Sequence, residues 1–196
     1  MKNIIIIGAS GHGKVVADIV RASGDKVIGF LDDDPKANRI GAVYEYDKFS
    51  DAEFIIAIGN AEIREKIARK IKVKWYTAIH PSAVISPNAK IEEGTVVMAN
   101  TVINADAKVG KHCIINSTAV VEHEDQMEDF VHVSVGAKLG GAVKVGKSTW
   151  IGMGAIVINN VSICGGCMIG AGAVVVDNID MPGTYIGVPA KHVMNN

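Results

Sequence analysis

An aliphatic residue or methionine recurs at every sixth position of the chain from residue 79 onward. The row has seventeen members: Ile79, Ile85, Ile91, Val97, Ile103, Val109, Ile115, Val121, Met127, Val133, Leu139, Val145, Ile151, Val157, Ile163, Ile169 and Val175. Two positions before most of them stands a small residue, as at Ala107 and Cys113. A helix cannot keep this register, and a simple strand alternates every second residue instead.

A solenoid of short strands accounts for this row. Each six-residue unit forms one side of a coil, the aliphatic side chain points inward, and the small residue lies where the chain turns a corner. Three sides per coil predict a triangular prism with about 18 residues per turn, and residues 79–176 then supply about five coils. The period predicts a parallel β-helix but does not determine its hand.

The preceding residues alternate between strand and helix patterns. The predicted elements are a strand at 3–8, a helix at 11–24, a strand at 26–34, a strand at 53–60 and a helix at 61–72. In the last helix Ile63, Ile67 and Ile71 are spaced four residues apart, which indicates one apolar face. We therefore predict a Rossmann-like βαβ domain over 1–78 and an all-β solenoid over 79–196.

Charge and composition narrow the class of partner. The chain carries 20 Lys+Arg against 21 Asp+Glu, so no basic field favours nucleic acid and a small molecule is the expected ligand. The N-terminal apolar run is too short for a membrane span and lacks a signal-peptide cleavage site, so we expect a cytoplasmic protein without a membrane partner. The three cysteines include one C-x-x-C, at Cys164 and Cys167, for which we expect no disulfide framework and no metal.

A glycine-rich turn follows the first predicted strand. Its glycines, Gly8, Gly11 and Gly13, stand between that strand and a helix, where backbone N–H groups and the positive helix end can hold an anion. The spacing G-x-x-G-x-G departs from the dinucleotide fingerprint G-x-G-x-x-G, and the domain is too short for a second mononucleotide half. One nucleotide is therefore the better prediction than NAD.

The polar segment "VVEHEDQ", residues 120–126, interrupts the aliphatic and small residues of the solenoid. His123 lies two positions after the inward Val121, so its side chain is expected outside the core. A histidine titrates near neutral pH and suits the role of a general base. A solvated corner that tolerates a polar triplet is the alternative reading of the same residues.

The six-residue array resembles that of the hexapeptide-repeat acyltransferases. With the segments "GASGHGKVV", "FLDD", "AIGNAEIREKI", "VVEHE", "HVSVGA" and "YIGVPAK", nearly the whole chain is similar to the sugar N-acetyltransferase branch of that family. The resemblance implies a left-handed β-helix, a homotrimer, and acetyl-CoA held in the cleft between adjacent subunits. It also implies transfer of an acetyl group to the 4-amino group of a UDP-linked amino-dideoxy sugar in glycan biosynthesis.

The resemblance further implies roles for individual residues. It places the catalytic base on His123, oriented by Glu124 in preference to Glu122. We expect direct attack without an acetyl-enzyme, because no cysteine or serine with comparable support neighbours His123. The implied acetyl-CoA contacts are Asn116, His132, Gly141, Met153 and Ala171. The implied nucleotide-sugar contacts are Ser10, Gly11, His12, Asp32, Asp33, Gly59 and Asn60. Gly141 follows His123 by one coil, and its missing side chain is expected to let the thioester approach.

Other residues and functions stay open at this stage. Arg64 is expected either to attract phosphate or to be a surface charge, and Lys191 either to pair with CoA phosphates or to face solvent. Trp75 and Tyr76 are expected to cover the open end of the prism. An O-acetyltransferase of a sialic-acid-like sugar, a non-catalytic nucleotide-binding scaffold, and a zinc enzyme using His112, His123 and His132 are the alternative functions.

Overall fold

The computed structural model describes residues 1–193 of the chain. The N-terminal part is a three-stranded parallel sheet in the order β2-β1-β3, with two α-helices and a short 3-10 helix. Its elements are β1 (Asn3–Ile7), α1 (Gly11–Ala22), β2 (Lys26–Leu31), the 3-10 helix (Val43–Phe49), β3 (Glu53–Ile56) and α2 (Ala61–Lys70). The four isoleucines of β1 are fully buried, as expected for the central strand of a parallel sheet covered on both faces.

The remaining strands each have two residues and stack into the three faces of a prism. The first face contains β4 (Ala78–Ile79), β7 (Val96–Val97), β10 (Ile114–Ile115), β13 (His132–Val133), β16 (Trp150–Ile151) and β19 (Met168–Ile169). The second contains β5 (Val84–Ile85), β8 (Val102–Ile103), β11 (Val120–Val121), β14 (Lys138–Leu139), β17 (Ile156–Val157) and β20 (Val174–Val175). The third contains β6 (Lys90–Ile91), β9 (Lys108–Val109), β12 (Gln126–Met127), β15 (Lys144–Val145) and β18 (Ser162–Ile163).

The prediction of a βαβ domain followed by a parallel β-helix is confirmed. Five coils are complete, and β19 and β20 begin a sixth. The chain then leaves the repeat and forms an antiparallel pair, β21 (Thr184–Ile186) and β22 (Lys191–His192), on the end of the first face. In the central coils the second residue of each strand is buried inside the prism, as the six-residue row predicts.

Backbone conformation is as regular as the aliphatic row. Every sixth residue from Gly94 to Gly172 has a positive φ, and nine of these fourteen residues are not glycine. Left-handed backbone costs a residue with a Cβ about 1 kcal/mol or more, so these corners are held by the coils above and below them. Glu124, at φ 62°, occupies one such corner beside His123.

The outward residues give each face a different character. On the first face Ala78, Val96 and Ile114 are buried in one apolar cluster with residues of β1 and α1, so the N-terminal domain packs against this face. The second face presents mostly valine and isoleucine, and the third presents lysine, glutamine and serine. Burial on the first face joins the two domains through a shared core.

The expectation that Trp75 and Tyr76 cover the end of the prism is wrong. Trp75 packs edge-on against His112 on the outer surface of the prism. Tyr76 lies in the core between the domains and donates its hydroxyl to Asp25 Oδ2 at 2.9 Å. Both aromatic side chains are used at the domain junction, and the inward residues of the first coil stay only half-buried.

Among residues 1–193, neither α-helix has the length and apolarity that a membrane crossing needs.

Candidate active site

The glycine-rich turn lies at the carboxyl end of β1 and leads directly into α1. Gly13 is required by close packing, because a Cβ there would lie 2.1 Å from the carbonyl oxygen of Gly8. At Gly11, by contrast, a Cβ would meet nothing within 4 Å. The open space at the helix N-terminus is where an anionic group can approach the backbone N–H groups.

The two aspartates that follow β2 differ in how many of their carboxylate oxygens already accept backbone hydrogen bonds. Asp32 accepts hydrogen bonds from the backbone N–H of Ala9 at 2.7 Å and of Asp34 at 2.9 Å, one on each carboxylate oxygen. Asp32 therefore ties the second strand to the glycine-rich turn. Asp33 uses only Oδ1, which accepts from Val43 N–H at 3.0 Å, and its side chain is exposed. Asp33 has the freer carboxylate for a ligand.

Asn60 caps the second helix. Its Oδ1 accepts from the backbone N–H of Ile63 at 3.0 Å, which satisfies one of the free donors at the start of α2. Because β1 and β3 are parallel neighbours, the turn at Ser10–His12 and the turn at Gly59–Asn60 lie at the same edge of the sheet. This is the usual position of ligand sites in open α/β sheets.

Arg64 holds the two domains together. Its guanidinium donates to four backbone carbonyls: Ile58 O at 3.0 Å and Gly59 O at 2.7 Å in the N-terminal domain, and His112 O at 3.0 Å and Phe130 O at 2.6 Å in the prism. Burial lowers its pKa to about 10, so it stays charged at neutral pH. The expectation that Arg64 is a surface charge is wrong, because its side chain is 1% exposed, whereas its attraction for phosphate stays a prediction. The helix buries Arg64 fully, whereas Ile63 of the predicted apolar face is 47% exposed.

His132 projects outward from the first face beside this junction, yet it is buried. Its ring stacks on Trp150 with centroids 4.7 Å apart. Asn116 Oδ1 accepts from Ser117 N–H at 2.8 Å, so its amide nitrogen faces His132 Nε2 at 3.3 Å. An amide donor on Nε2 requires the tautomer with the proton on Nδ1. That Nδ1–H is buried, has no partner among residues 1–193, and can donate to a ligand.

The histidines at the junction are neutral. Burial, with the charge of Arg64 and His12 nearby, lowers the pKa of His132 to about 3. Burial and the charge of Arg64 lower the pKa of His12 to about 4, and His12 Nε2 also has no protein partner. The hydrogen bonds of Arg64 to Gly59 O and Phe130 O show that the turn at Gly59–Asn60 and the prism meet here. An anionic or hydrogen-bonding ligand would find two free ring nitrogens and one buried positive charge.

His123 lies elsewhere, on the edge between the second and third faces. Its side chain is 59% exposed, and Nδ1 lies 3.2 Å from Glu124 Oε2. The ring extends over the next coil, where a Cβ at Gly141 would lie 2.5 Å from His123 Nε2. The space that we expected a thioester to use at Gly141 is therefore occupied by the imidazole. Glycine at 141 keeps Nε2 uncovered.

The predicted site residues fall into two groups within one chain. Asn116, His132, Met153 and Ala171 lie on the first face or on the edge between the first and second faces. Met153 and Ala171 are exposed there, one coil apart. His123, Glu124 and Gly141 lie on the next edge, across the second face. The chain does not bring these two groups together by itself.

Comparison with known proteins agrees with both parts of the fold. Residues 3–71 match the family model of the PglD N-terminal domain, and residues 88–123 match the bacterial transferase hexapeptide model of six repeats. The acetyltransferase domain of PglB from Neisseria gonorrhoeae, in complex with acetyl coenzyme A, has 36% identity, a TM-score of 0.94 and coverage of 98% of this chain and 99% of that chain. PerB from Caulobacter crescentus, in complex with CoA and GDP-perosamine, has 36% identity, a TM-score of 0.94 and coverage of 99% and 98%.

This chain belongs to the hexapeptide-repeat sugar N-acetyltransferases.

Sequence relatives carry related names. The UDP-N-acetylbacillosamine N-acetyltransferase of Bacillus subtilis is 41% identical over 110 residues, which cover 49% of this chain and 51% of that protein. The alignment thus spans about half the length of that relative. The GDP-perosamine N-acetyltransferase of Escherichia coli O157:H7 is 26% identical over 172 residues, or 80% of this chain and 78% of that protein. Both kinds of nucleotide sugar therefore occur among relatives in this family.

The three histidines of the zinc alternative occupy separate positions in this structure. His112 is buried between Trp75 and Phe130, with ring centroids 4.7 and 5.4 Å away, whereas His123 and His132 occupy other positions around the prism. Over residues 1–193, no group of three or more histidine, cysteine or acidic side chains is arranged to hold a metal ion. Cys164 and Cys167 are thiols whose sulfur atoms lie 3.5 Å apart.

Sequence reasoning missed two residues that shape the site, Trp150 and Asp125, and did not foresee the junction role of Arg64. Asp125 is a fully buried carboxyl next to the His123 turn, at a corner position where most coils have a small residue. Its departure from that small-residue pattern was a signal in the sequence. Trp150 follows His132 by 18 residues in the same outward column, so the repeat itself could have paired the two rings.

Replacing Arg64 tests the junction between the domains. Arg64→Met leaves four carbonyls without their donor, and we expect the free energy of unfolding to fall by about 3 kcal/mol. Arg69→Met is the matched control, because Arg69 lies on the same helix but is 73% exposed in a surface pair with Glu65. Urea unfolding of both variants measures the difference. Equal losses would contradict the role assigned to Arg64.

The buried neutral state of His132 predicts an acid-dependent loss of stability. Below the ordinary histidine pKa of 6.5 the unfolded chain binds a proton that the folded chain, with a His132 pKa of about 3, does not bind. Folding stability must therefore fall as the pH drops from 6.5 toward 4. In His132→Gln this fall should be shallower by about 1.4 kcal/mol per pH unit, measured by urea unfolding at several pH values. Parallel curves for the two proteins would refute the burial of a neutral His132.

Proposed function

We propose that this protein transfers the acetyl group of acetyl-CoA to the 4-amino group of a UDP-linked amino-dideoxy sugar. The observation that carries the proposal is the exposed His123 imidazole, with Glu124 on Nδ1 and Gly141 leaving Nε2 uncovered. Membership of the family indicates N-acetyl transfer to a sugar as the reaction. The names of the relatives indicate acetyl-CoA and a nucleotide sugar as the two substrates. The biological setting we propose is cytoplasmic glycan biosynthesis.

In the proposed mechanism His123 acts as the general base. Glu124 accepts a hydrogen bond from Nδ1–H, so the neutral ring presents an unprotonated Nε2 toward the acceptor. The amine nitrogen attacks the thioester carbonyl carbon while Nε2 takes the proton that the amine loses. The carbon–sulfur bond then breaks, and the imidazolium returns the proton to the sulfur that leaves. Glu124 stabilises the imidazolium while it exists.

The nucleotide sugar is proposed to bind to the N-terminal domain. Backbone N–H groups at Ser10 and Gly11 and the ring of His12 would face the diphosphate and sugar, because this turn opens α1 and leaves free space. Asp33 offers a free carboxylate oxygen to the base, while Asp32 holds the turn in place. Gly59 and Asn60 close the same edge of the sheet.

Acetyl-CoA is proposed to lie along the edge between the first and second faces. His132 would donate its free Nδ1–H there, held in that tautomer by Asn116. Met153 and Ala171 line the following coils and are exposed to a ligand. Lys191, in the exposed strand β22, is near enough to the end of the first face to meet a phosphate group.

A homotrimer would bring the two groups of site residues together. His123 is one edge away from the acetyl-CoA edge of its own chain, so a neighbouring subunit must supply the complementary edge. The second face between these edges is apolar apart from the outward Lys138, and includes Val84, 65% exposed, and Ile156, 43% exposed. Exposed Val135 and Met153 continue this surface onto the adjoining edge. An apolar surface of this extent is typical of a contact with another subunit.

Acetyl transfer and its base are tested with one assay. Free thiol released from acetyl-CoA is measured against UDP-4-amino-4,6-dideoxy-GlcNAc, GDP-perosamine and a sialic-acid-like sugar with a free hydroxyl. We expect release with the UDP-amino sugar and a loss on the order of a thousandfold in kcat for His123→Ala. His80→Ala, which changes a histidine of the first coil, is the control and should retain activity.

Each other outcome of that assay identifies a different function. Transfer only to the hydroxyl acceptor would establish an O-acetyltransferase, and preference for GDP-perosamine would replace UDP by GDP. No transfer by the wild-type protein, with nucleotide binding retained, would favour the scaffold. Activity of His123→Ala equal to that of the wild type would remove His123 as the base.

Subunit association is tested by placing a charge on the second face. Val120→Lys puts an ammonium group on the apolar outward column of β11, and we expect the mass in solution to fall from three chains to one chain of 20.7 kDa. Activity should fall with it, because the site is divided between subunits. Gln126→Lys makes the same change on the polar third face and should leave the mass unchanged. A wild-type monomer with full activity would refute the shared site; light scattering after size-exclusion chromatography provides the mass.

A further inference from the structure

A buried carboxyl lies directly behind the turn that carries His123. Asp125 is 0% exposed and occupies the corner position at which Ala107 stands one coil earlier. Its Oδ2 accepts the backbone N–H of Glu122, at the start of its own turn, at 2.8 Å. Its Oδ1 accepts the backbone N–H of Val143, in the turn of the next coil, also at 2.8 Å. One side chain thus connects two successive turns.

Elsewhere in the prism, threonine makes a similar connection without charge. Thr95 Oγ1 accepts from Cys113 N–H at 3.0 Å and donates to Gly110 O at 2.8 Å, both in the next coil. Thr149 makes the same pair of bonds to the turn at residues 164–167. A threonine hydroxyl therefore both accepts a backbone N–H and donates to a backbone carbonyl of the next coil. The carboxyl behind the His123 turn differs because its second bond goes back to its own turn.

The second bond matters because the His123 turn is otherwise weakly closed. The backbone N–H of Asp125 reaches Glu122 O only at 3.4 Å, the same distance as from Ala107 N–H to Asn104 O one coil earlier, whereas the bond from Ala83 to His80 O on another edge is 2.9 Å. At 2.8 Å, the carboxylate bond to Glu122 N–H is the shorter closure of this turn. The turn also contains Glu124 in left-handed backbone, which needs support from its surroundings.

We propose that Asp125 is a positioning residue for acetyl transfer: its two backbone hydrogen bonds lock the His123 turn to the turn at Gly141, and thereby hold the imidazole on Glu124 with Nε2 free. This inference rests on the proposed role of His123 as the base. Asp125 itself touches neither substrate. It acts only through the backbone of the two turns, so its loss should change kcat more than the KM for acetyl-CoA.

The lock responds to protonation. Burial, together with the charge of Glu122, raises the pKa of Asp125 to about 7, although the two N–H donors and His123 oppose the rise. Of the turns on either side, residues 104–107 contribute Asp106 and residues 140–143 contribute no titratable side chain. A protonated carboxyl oxygen cannot accept the N–H that faces it as a carboxylate oxygen does, so one of the two bonds weakens as the pH falls through 7.

Two variants distinguish an effect of the Asp125 hydrogen bonds on catalysis from an effect on overall stability. Asp125→Thr should keep the bond to the next coil, as at Thr95, and lose both the charge and the bond to Glu122 N–H. Asp125→Asn keeps the shape but offers one acceptor oxygen. For each we expect kcat for the UDP-amino sugar to fall on the order of ten- to a hundredfold, with the acetyl-CoA KM changed little. Thr149→Val breaks the equivalent connection at a remote corner and should leave kcat unchanged.

The pH profile gives a readout that a merely structural role would not move. Two groups must lose protons in the wild type, so log(kcat/KM) should fall at low pH with a slope approaching about 2, and with a slope of about 1 in both variants. Wild-type kcat and an unchanged acid slope in a folded variant would overturn the inference. If the wild type shows no transfer at all, the proposed function fails instead.

A titration of the wild-type protein decides the matter even if both variants fail to fold. Carbon-13 NMR of the Asp125 carboxyl and nitrogen-15 NMR of His123 are followed over the same pH range. We expect the His123 ring signals to show an additional step at the Asp125 midpoint. A His123 titration that is independent of the Asp125 proton would overturn the proposed coupling.

Discussion

Hydrogen bonds between successive coils determine where every functional group of the prism lies. Along the strands a backbone N–H donates to the carbonyl seventeen residues later, as from Val96 to Cys113. Each residue is therefore stacked on the residue 18 positions further along the chain. This single constraint places the His123 ring over Gly141 and stacks His132 on Trp150. The candidate chemistry is built from pairs that are distant in sequence and adjacent in space.

The buried Arg64 guanidinium connects the N-terminal domain to these stacked coils. Within the described part of the chain, residues 1–193, the Arg64 guanidinium bonds to four carbonyls and to no carboxylate, so carbonyl dipoles balance its charge. Burial, assisted by this charge, lowers the pKa of His12 and of His132 and keeps both rings neutral. A diphosphate group bound nearby would meet an uncompensated positive charge in a region of low dielectric constant. The contact that fixes the domain orientation thus also prepares the junction for an anion.

The sequence predicted the parts of this protein that follow from periodicity. The row of seventeen apolar residues specified the prism, and the polar segment "VVEHEDQ", which the row passes through without a break, identified the edge with His123. Arg64 was misjudged because its carbonyl partners in the prism lie 48 and 66 residues away and leave no local pattern. Trp75 and Tyr76 were misplaced for the same reason. The alternation of polar and apolar residues does not reveal where one domain packs on another.

The left-handed corners restrict how the length of this chain can change. Fourteen residues at intervals of six must adopt a positive φ, and each is stacked on its equivalents in the coils above and below. Loss of one residue between Gly94 and Gly172 would turn every later aliphatic side chain toward solvent, because all of them would shift by one position. Extra segments can be accommodated only as loops that leave and rejoin the prism at the same corner. Growth or shortening by whole 18-residue coils would preserve the column but would move the catalytic edge relative to the N-terminal domain.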